Sequence, residues 1–367
     1  MEIKIKKICL VIPSLQSGGM ERVMSELAEY FCSKVEFEVH LVLYGITREI
    51  FYPIPDNLIV HKPVFEFDKS KRTFYTIKTL WFLRRKINQI HPDTVLSFGE
   101  LWNNFVLLAT LGLNYPVFVS DRCQPDKSLG KFHNRLRKWL YPKATGVICQ
   151  TDVAKNIYSK LFYHSNLVVI GNPIRAIESN NAIKQENIIL SIGRIIQSKH
   201  HDELIKIFSK VDAQDWKLII VGDDALKQKN KERLKKLVHD LGIEDRVEFT
   251  GNRKDVETFY IRARIFAFTS SSEGFPNVIG EAMSAGLPVI AYDCVAGPSD
   301  LIEHEKTGYL IKLHDTSRFK NGLEKLVKDE VLREAFGNQG KLKIQNFSVQ
   351  NISQEFEKVI LNARIAN

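Results

Sequence analysis

The chain has 367 residues, of which 44% are hydrophobic and 26% charged, and its formal net charge is +9 at pH 7. This composition is ordinary for a soluble globular protein, and the length predicts about two domains, each with its own core. The five cysteines are scattered without a CxxC pair, which argues against a disulfide framework or a cysteine zinc site and favours a reduced, cytosolic protein.

The positive charge is concentrated in the first half. Lys and Arg outnumber Asp and Glu by 23 to 15 over residues 1–170, but only by 29 to 28 over the remainder. The excess fits an anionic partner such as a membrane surface, a lipid pyrophosphate or a nucleic acid, and it fits equally a basic face that aids solubility. No apolar run approaches the roughly 20 residues of a membrane-spanning helix, and the run ICLVIP is too short for a signal peptide.

Strand-like apolar runs alternate with helical patterns along the chain, which is typical of α/β domains with parallel sheets. The stretch 45–70, with three prolines, is predicted to be irregular. The strands predicted in the first half are Ile8–Ile12, Glu38–Leu43, Thr94–Phe98, Val117–Ser120, Thr145–Cys149 and Leu167–Ile170. The predicted helices are Gly19–Ser33, Thr73–Ile90, Trp102–Leu111, Phe132–Leu140 and Asp152–Leu161.

A loop with the sequence SLQSGGMER, residues 14–22, follows the first strand and opens the first helix. Gly18 and Gly19 would allow a sharp turn and a close approach of the backbone to a ligand, although a plain turn has the same composition. The loop lacks the third glycine of G-x-G-x-x-G, and the second strand ends without an acidic residue for a ribose. Both departures argue against a dinucleotide oxidoreductase.

Residues 71–90 (KRTFYTIKTLWFLRRKINQI) form a basic, aromatic, amphipathic segment. Lys71, Lys78 and Arg85 recur every seven residues and therefore share a helical face, with Trp81 beside them. Such a face suits an anionic bilayer or a lipid pyrophosphate, and a helix with a solvated basic face is equally consistent with the pattern. The predicted core stripe of this helix consists of Ile77, Leu80, Ile87 and Ile90.

Two further segments of the first half carry charge. The basic run Lys131–Lys143 (KFHNRLRKWLYPK) has the same two interpretations as the first, and because neither run contains an RNA-binding motif, nucleic acid is discounted. The segment Ser120–Lys127 (SDRCQPDK) follows the fourth predicted strand, where ligand-binding residues gather in parallel sheets. Asp121 suits a hydroxyl and Arg122 an anion, and a simple surface pair of the two is the alternative.

A domain boundary is predicted at Gly171-Asn172-Pro173, which precedes the polar run Glu178–Glu186. Two doubly wound halves imply a cleft between them, with ligands at the carboxyl ends of the strands. The strands predicted in the second half are Asn187–Ile192, Lys217–Val221, Arg246–Thr250, Ile265–Thr269, Pro288–Tyr292 and Gly308–Ile311. The predicted helices are Asp202–Lys210, Leu226–Leu241, Asp255–Ala263, Val278–Ala285, 317–327 and 350–364.

Two loops of the second half concentrate polar residues suited to chemistry. Arg194 and Lys199, in GRIIQSK, follow the first strand of this half, and cations there would stabilise negative charge on a leaving diphosphate. In the stretch 264–300, a serine loop leads into a helix whose N-terminus suits an anion. Glu273 and Glu281, eight positions apart, suit sugar hydroxyls, whereas a capped surface helix with two solvated glutamates is the simpler interpretation.

The spacing of Glu273 and Glu281, with Phe275, Pro276 and the run AGLPV at 285–289, resembles the E-x7-E element of family 4 glycosyltransferases. These are retaining enzymes of the GT-B fold, an α/β architecture of two doubly wound Rossmann-like domains facing each other across a cleft. The resemblance covers most of the chain. It implies an acceptor domain at residues 1–170, with a C-terminal helix at about 350–367 packing back on it, and a nucleotide-sugar donor domain at residues 171–349. A last helix that caps its own domain is the alternative.

The resemblance also implies roles for individual residues of the donor domain. Arg194 and Lys199, in the same motif as Gly193, would contact the donor diphosphate. Glu281 would hold the ribose hydroxyls and Glu273 the hydroxyls of the donor sugar. The amides expected to assist the diphosphate belong to Gly274, Phe275, Pro276, Asn277 and Val278.

Further loops acquire expected roles in the same way. The amides of Gly18 and Gly19 would face the donor phosphate and the acceptor. Asp121 and Arg122 stand at or beside the place where many relatives carry an acceptor-side histidine, which leaves their role open.

In the second half, VGDD at 221–224 resembles the family's V-G-D-G turn and is not a D-x-D metal site. The loop TGNRK, with Arg253, resembles the loop whose backbone reads the nucleobase, and CVAGPSD at 294–300 would wall the sugar pocket. GT-B enzymes use side chains and a helix dipole in place of a metal, so neither metal nor cofactor is expected.

The function implied is transfer of a hexose or N-acetylhexosamine from a UDP-sugar to a glycan, with a polyprenyl-pyrophosphate-linked acceptor favoured. The segment with Lys71, Lys78, Trp81 and Arg85 is similar to the basic helix of PglH-like transferases, which predicts a peripheral protein at the anionic inner face of the cell membrane. A UDP-sugar 2-epimerase of the same fold and a catalytically inactive sugar-nucleotide-binding scaffold are the alternatives.

Overall fold

The computed structural model of the protein describes residues 4–16, 18–46, 48–178, 180, 182–225 and 228–362. These residues form two compact units, of which the first runs to Pro173 and resumes at Val349, and the second is Ile174–Ser348. Parts of several predicted segments lie outside the described residues, at Ser17, Thr47, Ser179, Asn181, Leu226, Lys227 and 363–367.

Strands and helices alternate along the described residues. The strands are β1 Lys6–Ile12, β2 Phe37–Leu43, β3 Ile59–His61, β4 Thr94–Phe98, β5 Val117–Ser120, β6 Gly146–Cys149, β7 Leu167–Val169, β8 Ile188–Ile192, β9 Lys217–Val221, β10 Val247–Gly251, β11 Ile265–Phe268, β12 Val289–Asp293 and β13 Gly308–Lys312. The α-helices are α1 Gly19–Cys32, α2 Arg72–Ile90, α3 Glu100–Thr110, α4 Lys131–Leu140, α5 Asp152–Leu161, α6 His201–Phe208, α7 Asn230–Asp240, α8 Val256–Arg262, α9 Asn277–Ser284, α10 Pro298–Leu301, α11 Thr316–Lys328, α12 Glu330–Ile344 and α13 Val349–Asn362.

Each unit is built on a parallel sheet. The first has the strand order β3-β2-β1-β4-β5-β6-β7 and the second β10-β9-β8-β11-β12-β13, and the pairings within both sheets are parallel. The central strands are apolar and buried along their length, as β4 and β11 illustrate, because parallel sheets carry helices on both faces. The predicted α/β class with doubly wound parallel sheets is confirmed.

Three elements depart from the sequence prediction. The short strand β3 lies within the stretch predicted to be irregular, α10 begins within the loop CVAGPSD, and α12 was not predicted. The sequence pattern does not predict α12 because the segment contains glycines, and glycine weakens a helix by roughly 1 kcal/mol relative to alanine. The structure explains Gly337, where a Cβ atom would lie 2.1 Å from the carbonyl oxygen of Gly286. Glycine there permits α12 to approach the turn that follows α9.

The last helix, α13, belongs to the first unit. Its Glu357 accepts a hydrogen bond from the Tyr30 hydroxyl at 2.7 Å and pairs with Lys34 at 2.5 Å, both at the end of α1 or just beyond it. Phe356 is fully buried, with its ring 6.1 Å from that of Phe98 at the end of β4. None of the described helices combines the length and the apolar character required to cross a membrane.

Candidate active site

Two loops meet where the strand order of the second sheet reverses, between β8 and β11. Open α/β sheets bind their ligands at such switch points, beyond the carboxyl ends of the strands. The N–H of Ser271 donates to the carbonyl oxygen of Ser198 at 2.8 Å, and Oγ1 of Thr269 donates to that of Lys199 at 2.8 Å. The motif GRIIQSK after β8 and the serine loop after β11 are therefore joined directly.

Lys199 and Glu273 form the charged centre of this site. Nζ of Lys199 lies 2.5 Å from Oε1 of Glu273, and the two side chains are only 16% and 14% exposed. Nζ also lies 5.3 Å from the ring centroid of Phe268, at the end of β11. Because partial burial strengthens electrostatic contacts, the ammonium group is held in place beside the loop that leads into α9.

Helix α9 begins directly after this loop, with Pro276 at its N-cap. The sequence predicts amides from Gly274 to Val278 around a phosphate, and two of the five are wrong. Pro276 has no N–H group, and the N–H of Asn277 already donates to the carbonyl oxygen of Phe275 at 3.1 Å. Gly274, Phe275 and Val278 remain as candidates, at the positive end of the helix dipole.

The loop after β12 packs against the start of the same helix. Gly297 has a φ of +101°, and a Cβ atom there would lie 2.2 Å from Cδ of Pro276, so glycine satisfies both the backbone conformation and the close approach. Burial, followed by the Glu273 carboxylate, raises the pKa of Cys294 to about 12. The loop thus lies near Glu273 and carries a neutral thiol, whereas its role as a wall of the sugar pocket stays a prediction.

Glu281 lies on the buried side of α9 and is 5% exposed. Its Oε2 accepts a hydrogen bond from the hydroxyl of Tyr260 at 2.7 Å. Tyr260 lies on α8 and is itself almost fully buried, so it fixes the carboxylate. Local sequence spacing does not indicate this tyrosine, because a strand and a loop separate it from Glu281. The ribose contact of Glu281 stays a prediction.

Arg194 stands on a fixed backbone with its side chain exposed. The N–H of Gly193 donates to the carbonyl oxygen of Val221 at 2.9 Å. Gly222 has a φ of +143°, and a Cβ atom there would lie 2.0 Å from the carbonyl oxygen of Gly193. The VGDD turn therefore packs on the backbone from which the Arg194 side chain extends. The diphosphate contact of Arg194 stays a prediction.

Arg253 is paired with a neighbouring aspartate. Its guanidinium donates to both carboxylate oxygens of Asp255, at 2.9 and 2.8 Å. Over the described part of the chain, it shares no hydrogen bond or ion pair with Lys199, Glu273 or Glu281. Its nucleobase role stays a prediction.

Comparison with known proteins identifies the family. Residues 174–343 match the model "Glycosyl transferases group 1", and residues 17–176 match the model "Glycosyltransferase Family 4". The chain is 30% identical over 344 residues to the amylovoran biosynthesis glycosyltransferase AmsD of Erwinia amylovora, an alignment that covers 90% of this chain and 92% of that protein. The chain belongs to the family 4 glycosyltransferases.

This glycosyltransferase is also 27% identical to a Campylobacter jejuni protein, over 98% of this chain and 99% of the relative. The relative is named GalNAc-alpha-(1->4)-GalNAc-alpha-(1->3)-diNAcBac-PP-undecaprenol alpha-1,4-N-acetyl-D-galactosaminyltransferase. Among solved structures, Anabaena Alr3699/HepE in complex with UDP has a TM-score of 0.80 at 18% identity, covering 96% of this chain and 99% of that one. At that identity the likeness shows the fold alone, and the predicted family and GT-B fold are confirmed.

In the first unit of this glycosyltransferase, the glycine loop forms the start of α1. Gly18 is the N-cap residue with an extended φ of −177°, and Gly19 is the first helical residue, so the predicted need for a sharp turn is wrong. The N–H of Gly18 lies 3.1 Å from the hydroxyl oxygen of Tyr52, and that hydroxyl donates to the carbonyl oxygen of Gly18 at 2.9 Å. Tyr52, which the sequence analysis misses, therefore occupies an amide that was expected to face a ligand.

Asp121 is 3% exposed and lies in a buried polar network. Four side chains satisfy its two carboxylate oxygens, so none is left for an acceptor hydroxyl and the predicted contact is wrong. The alternative, a surface ion pair between Asp121 and Arg122, is also wrong, because Asp121 is buried and pairs with Arg137. The four donors are the Tyr141 hydroxyl, the Tyr158 hydroxyl at 2.7 Å, Nδ2 of Asn103 at 2.9 Å and the guanidinium of Arg137 at 3.1 Å.

Arg122 packs between two aromatic rings of the first unit. Its Cζ lies 3.7 Å from the ring centroid of Phe98 and 5.6 Å from that of Phe356 on α13. Its guanidinium donates to Oδ1 of Asn172 at 2.6 Å. Burial lowers the pKa of Arg122 to about 9, against the opposing charge of Asp121. The acceptor or phosphate contact of Arg122 stays a prediction.

The basic helix α2 exposes an apolar stripe. Phe74, Ile77 and Trp81 are 61%, 62% and 60% exposed, and their spacing places them on one side of the helix. The prediction that Ile77 belongs to the core is therefore wrong, and Leu83 is among the residues that α2 buries.

The cations predicted for this helix differ in their surroundings. Lys71 is exposed at the N-cap, whereas Lys78 is partly buried with Nζ 4.4 Å from the ring centroid of Phe65. Arg85 is exposed, and its Cζ lies 5.2 Å from the ring of Trp81. Lys71 and Arg85 thus flank the apolar stripe at its two ends.

Proposed function

We propose that this glycosyltransferase moves a hexose or N-acetylhexosamine from a UDP-sugar to a lipid-linked glycan, with retention at the anomeric carbon. The observation that carries the proposal is the pairing of Lys199 with Glu273 at the switch point of the second sheet. It puts a cation for a diphosphate beside a carboxylate for sugar hydroxyls, the two parts of a nucleotide-sugar. The fold neighbour in complex with UDP supports UDP as the nucleotide.

Electrostatic stabilisation is the main contribution of the protein in this mechanism. As the bond between the sugar C1 and the diphosphate breaks, negative charge accumulates on the leaving UDP. Lys199 and Arg194, with the amides of Gly274 and Phe275, stabilise this charge more in the transition state than in the ground state. Donor binding turns Lys199 towards the diphosphate and frees Glu273 to accept a hydrogen bond from a sugar hydroxyl.

Retention follows from attack on the face that the leaving group occupies. The acceptor hydroxyl oxygen bonds to C1 as the C1–O bond to UDP breaks, and the hydroxyl proton passes to the departing phosphate oxygen. This step needs no enzyme nucleophile. Glu281, fixed by Tyr260, holds the ribose hydroxyls. Side chains and the dipole of α9 supply the positive charge, so no metal or cofactor is proposed for the reaction.

Two observations support a membrane-linked acceptor. The names of two relatives specify amylovoran biosynthesis and an undecaprenol-linked substrate. The apolar stripe of α2, flanked by Lys71 and Arg85, has the chemistry of a surface that rests on an anionic bilayer. The proposal therefore includes peripheral attachment to the inner face of the cell membrane, in assembly of a surface polysaccharide or oligosaccharide.

Ligand-dependent thermal unfolding tests the donor. UDP, GDP, ADP and NAD are each added with a chelator present, and UDP is expected to raise Tm the most. Ligand at about 100 times Kd stabilises a single site by roughly 2.7 kcal/mol, although with two units the ranking of the shifts is compared rather than a free energy. A larger shift with GDP or ADP would refute the donor, and a response to NAD alone, or to none, would refute the proposed site.

Two variants of the second unit sharpen this test. Glu281→Gln retains the shape of the side chain but loses its charge, so the UDP-induced shift should disappear. Glu257→Gln, at an exposed position of α8, is the matched control and should keep the shift. Retention is measured separately, by NMR of the anomeric configuration of the product, and an inverted product would rule out same-face attack.

A further inference from the structure

A histidine–carboxylate cluster lies beside the candidate active site and takes no part in the proposed reaction. It consists of His200, Glu203 and His314, whose possible ligand atoms all lie within 4.8 Å of one another. His200 directly follows Lys199, Glu203 lies in the first turn of α6, and His314 follows β13. The cluster thus joins two segments of the second unit: the start of α6, with His200 at its N-cap and Glu203 in its first turn, and the residue His314 after β13.

The geometry of the cluster suits coordination of one ion. Nδ1 of His314 lies 2.8 Å from Oε1 of Glu203, and Nδ1 of His200 lies 3.5 Å from the same oxygen. The imidazole rings are nearly perpendicular, at 82°, with centroids 4.8 Å apart. Ligands about 2.0–2.1 Å from a tetrahedral zinc ion lie roughly 3.3–3.5 Å apart. The His200–Glu203 distance already fits, and the His314–Glu203 distance needs a shift of about half an ångström. The ligand atoms of the two imidazoles, which lie within 4.8 Å of each other, must reach the same spacing.

Two further side chains support the ligands from behind. Nε2 of His200, the nitrogen turned away from Glu203, lies 2.9 Å from Oγ of Ser271. The other carboxylate oxygen of Glu203 accepts a hydrogen bond from the Tyr292 hydroxyl at 2.9 Å. Metal-bound histidines and carboxylates are oriented in this way by outer hydrogen bonds that fix tautomer and direction.

The backbone at both histidines is unusual. His200 has a φ of +49° and His314 a φ of +64°, in the left-handed region that non-glycine residues seldom occupy. Such conformations cost of order 1–3 kcal/mol each and persist where the surrounding structure enforces them. Here they bring the two imidazoles into contact. The side chains remain accessible to an ion from solvent, since His314 is 50% exposed and the other two about 20%.

We propose that His200, Glu203 and His314 form a zinc site, with two nitrogen ligands, one carboxylate oxygen and water in the fourth position. This ligand set is typical of Zn²⁺, which is bound in proteins by three such side chains and a solvent molecule. The ion would fasten the segment that carries Lys199 to the loop after β13, and through Ser271 to the serine loop. Its three ligands take no part in the proposed transfer reaction.

Zinc titration of the full-length, chelator-treated protein tests the site, with a chromogenic chelator as competitor. We expect one equivalent of Zn²⁺ to bind, with a rise in Tm, and Co²⁺ to give the visible absorption of a tetrahedral complex. His314→Asn removes the imidazole but tolerates the left-handed backbone. It should weaken zinc binding at least about 100-fold, above the 10- to 100-fold typical of losing an outer partner. Glu203→Gln should act in the same direction.

The control is a histidine that also contacts a carboxylate but has no third candidate ligand among the described residues. Nδ1 of His239 lies 2.5 Å from Oε1 of Glu244 on the exposed side of the second unit, and His239→Asn should leave zinc binding unchanged. Absence of binding by the wild type, or equal binding by the His314 and His239 variants, would overturn the proposal. In that case the cluster is a hydrogen-bonded network only. Circular dichroism of His314→Asn without metal verifies that the variant is folded.

Discussion

Lys199 and Glu273 each compensate the other's charge where both are largely withdrawn from water. Truncating one partner leaves the other with a partly buried, uncompensated charge, which is destabilising in itself. A neutral substitution leaves the same uncompensated charge, so substitutions that preserve shape are chosen because they do not also create a cavity. Glu273→Gln keeps hydrogen-bonding capacity without charge, and Lys199→Met keeps an unbranched apolar side chain of similar length without the ammonium group that lies near Phe268.

We predict that Lys199→Met and Glu273→Gln each lower kcat for sugar transfer by roughly 100- to 1000-fold, the usual effect of removing one preorganised electrostatic group. The two should differ in nucleotide binding. Lys199→Met should reduce the UDP-induced rise in Tm, because it loses a diphosphate contact. Glu273→Gln should largely retain that rise, because its contact is with the sugar. Steady-state kinetics and thermal unfolding measure the two effects.

The control for this pair is Lys236→Met, which breaks an exposed pair with Asp240 at 2.9 Å on α7. Such surface pairs contribute about 0–1 kcal/mol, so activity and the UDP shift should both be preserved. Near-wild-type transfer by Glu273→Gln would remove Glu273 from the proposed mechanism.

Short sequence motifs indicate some residues of the candidate site but not others. Lys199, Glu273 and Glu281 are recognisable because each lies in a short motif. Asp121 is misinterpreted because its partners come from other segments of the chain, so its burial is a property of the tertiary structure. Tyr260 escapes notice for the same reason. The sequence indicates which residue types stand at the strand ends, but not which are already satisfied by the protein.

Among the helices, the packing of α12 requires glycine at position 337 but not at position 340. Gly337 faces the backbone of Gly286, where a Cβ atom would lie 2.1 Å from a carbonyl oxygen. Gly340, one turn further on, would place its Cβ 3.6 Å from the Met283 side chain, an ordinary van der Waals contact. The backbone of the turn that follows α9 therefore leaves no room for a methyl group at position 337, whereas a methyl group at position 340 fits.

We predict that Gly337→Ala destabilises the protein, since overpacking a close contact typically costs about 1–3 kcal/mol. Gly340→Ala should be neutral or stabilising by up to about 1 kcal/mol, because alanine has the higher helix propensity. Urea unfolding of both variants, monitored by circular dichroism, gives the comparison, and each variant serves as the control for the other. Equal effects of the two substitutions would contradict the packing argument.

The strands and helices are predicted correctly where apolar runs or capping residues mark them within a short stretch of sequence. The observed bounds of β4, β5, β9 and α5 are the predicted ones, because apolar runs and caps mark them. The strand β3 is missed since it has only three residues, none of them buried. Its pairing with β2 defines it, and short-range patterns carry no information about that pairing.

At the scale of the whole molecule, part of the excess positive charge in the first half is buried and part lies on the surface. Arg137, within the second basic run, is buried against Asp121, so this run is partly structural. Helix α2 exposes three large apolar side chains, Phe74, Ile77 and Trp81, whereas the second run exposes two, Phe132 and Trp139. Composition alone could not separate the two runs. Under the proposed membrane attachment, α2 is the candidate contact, because three of its large apolar side chains are 60–62% exposed among the described residues.

We predict that the protein co-sediments with phosphatidylglycerol vesicles at low salt, less with phosphatidylcholine vesicles, and less again at high salt, because screening weakens attraction between exposed charges. Trp81→Glu should abolish co-sedimentation, since it removes apolar contact and adds like charge to an anionic surface. Val331→Glu, at a position that is 76% exposed on α12, is the matched control and should bind as the wild type does. Loss of binding in both variants, or in neither, would exclude α2 as the membrane contact. Loss in Trp139→Glu alone would assign the contact to α4, whose tryptophan is 52% exposed.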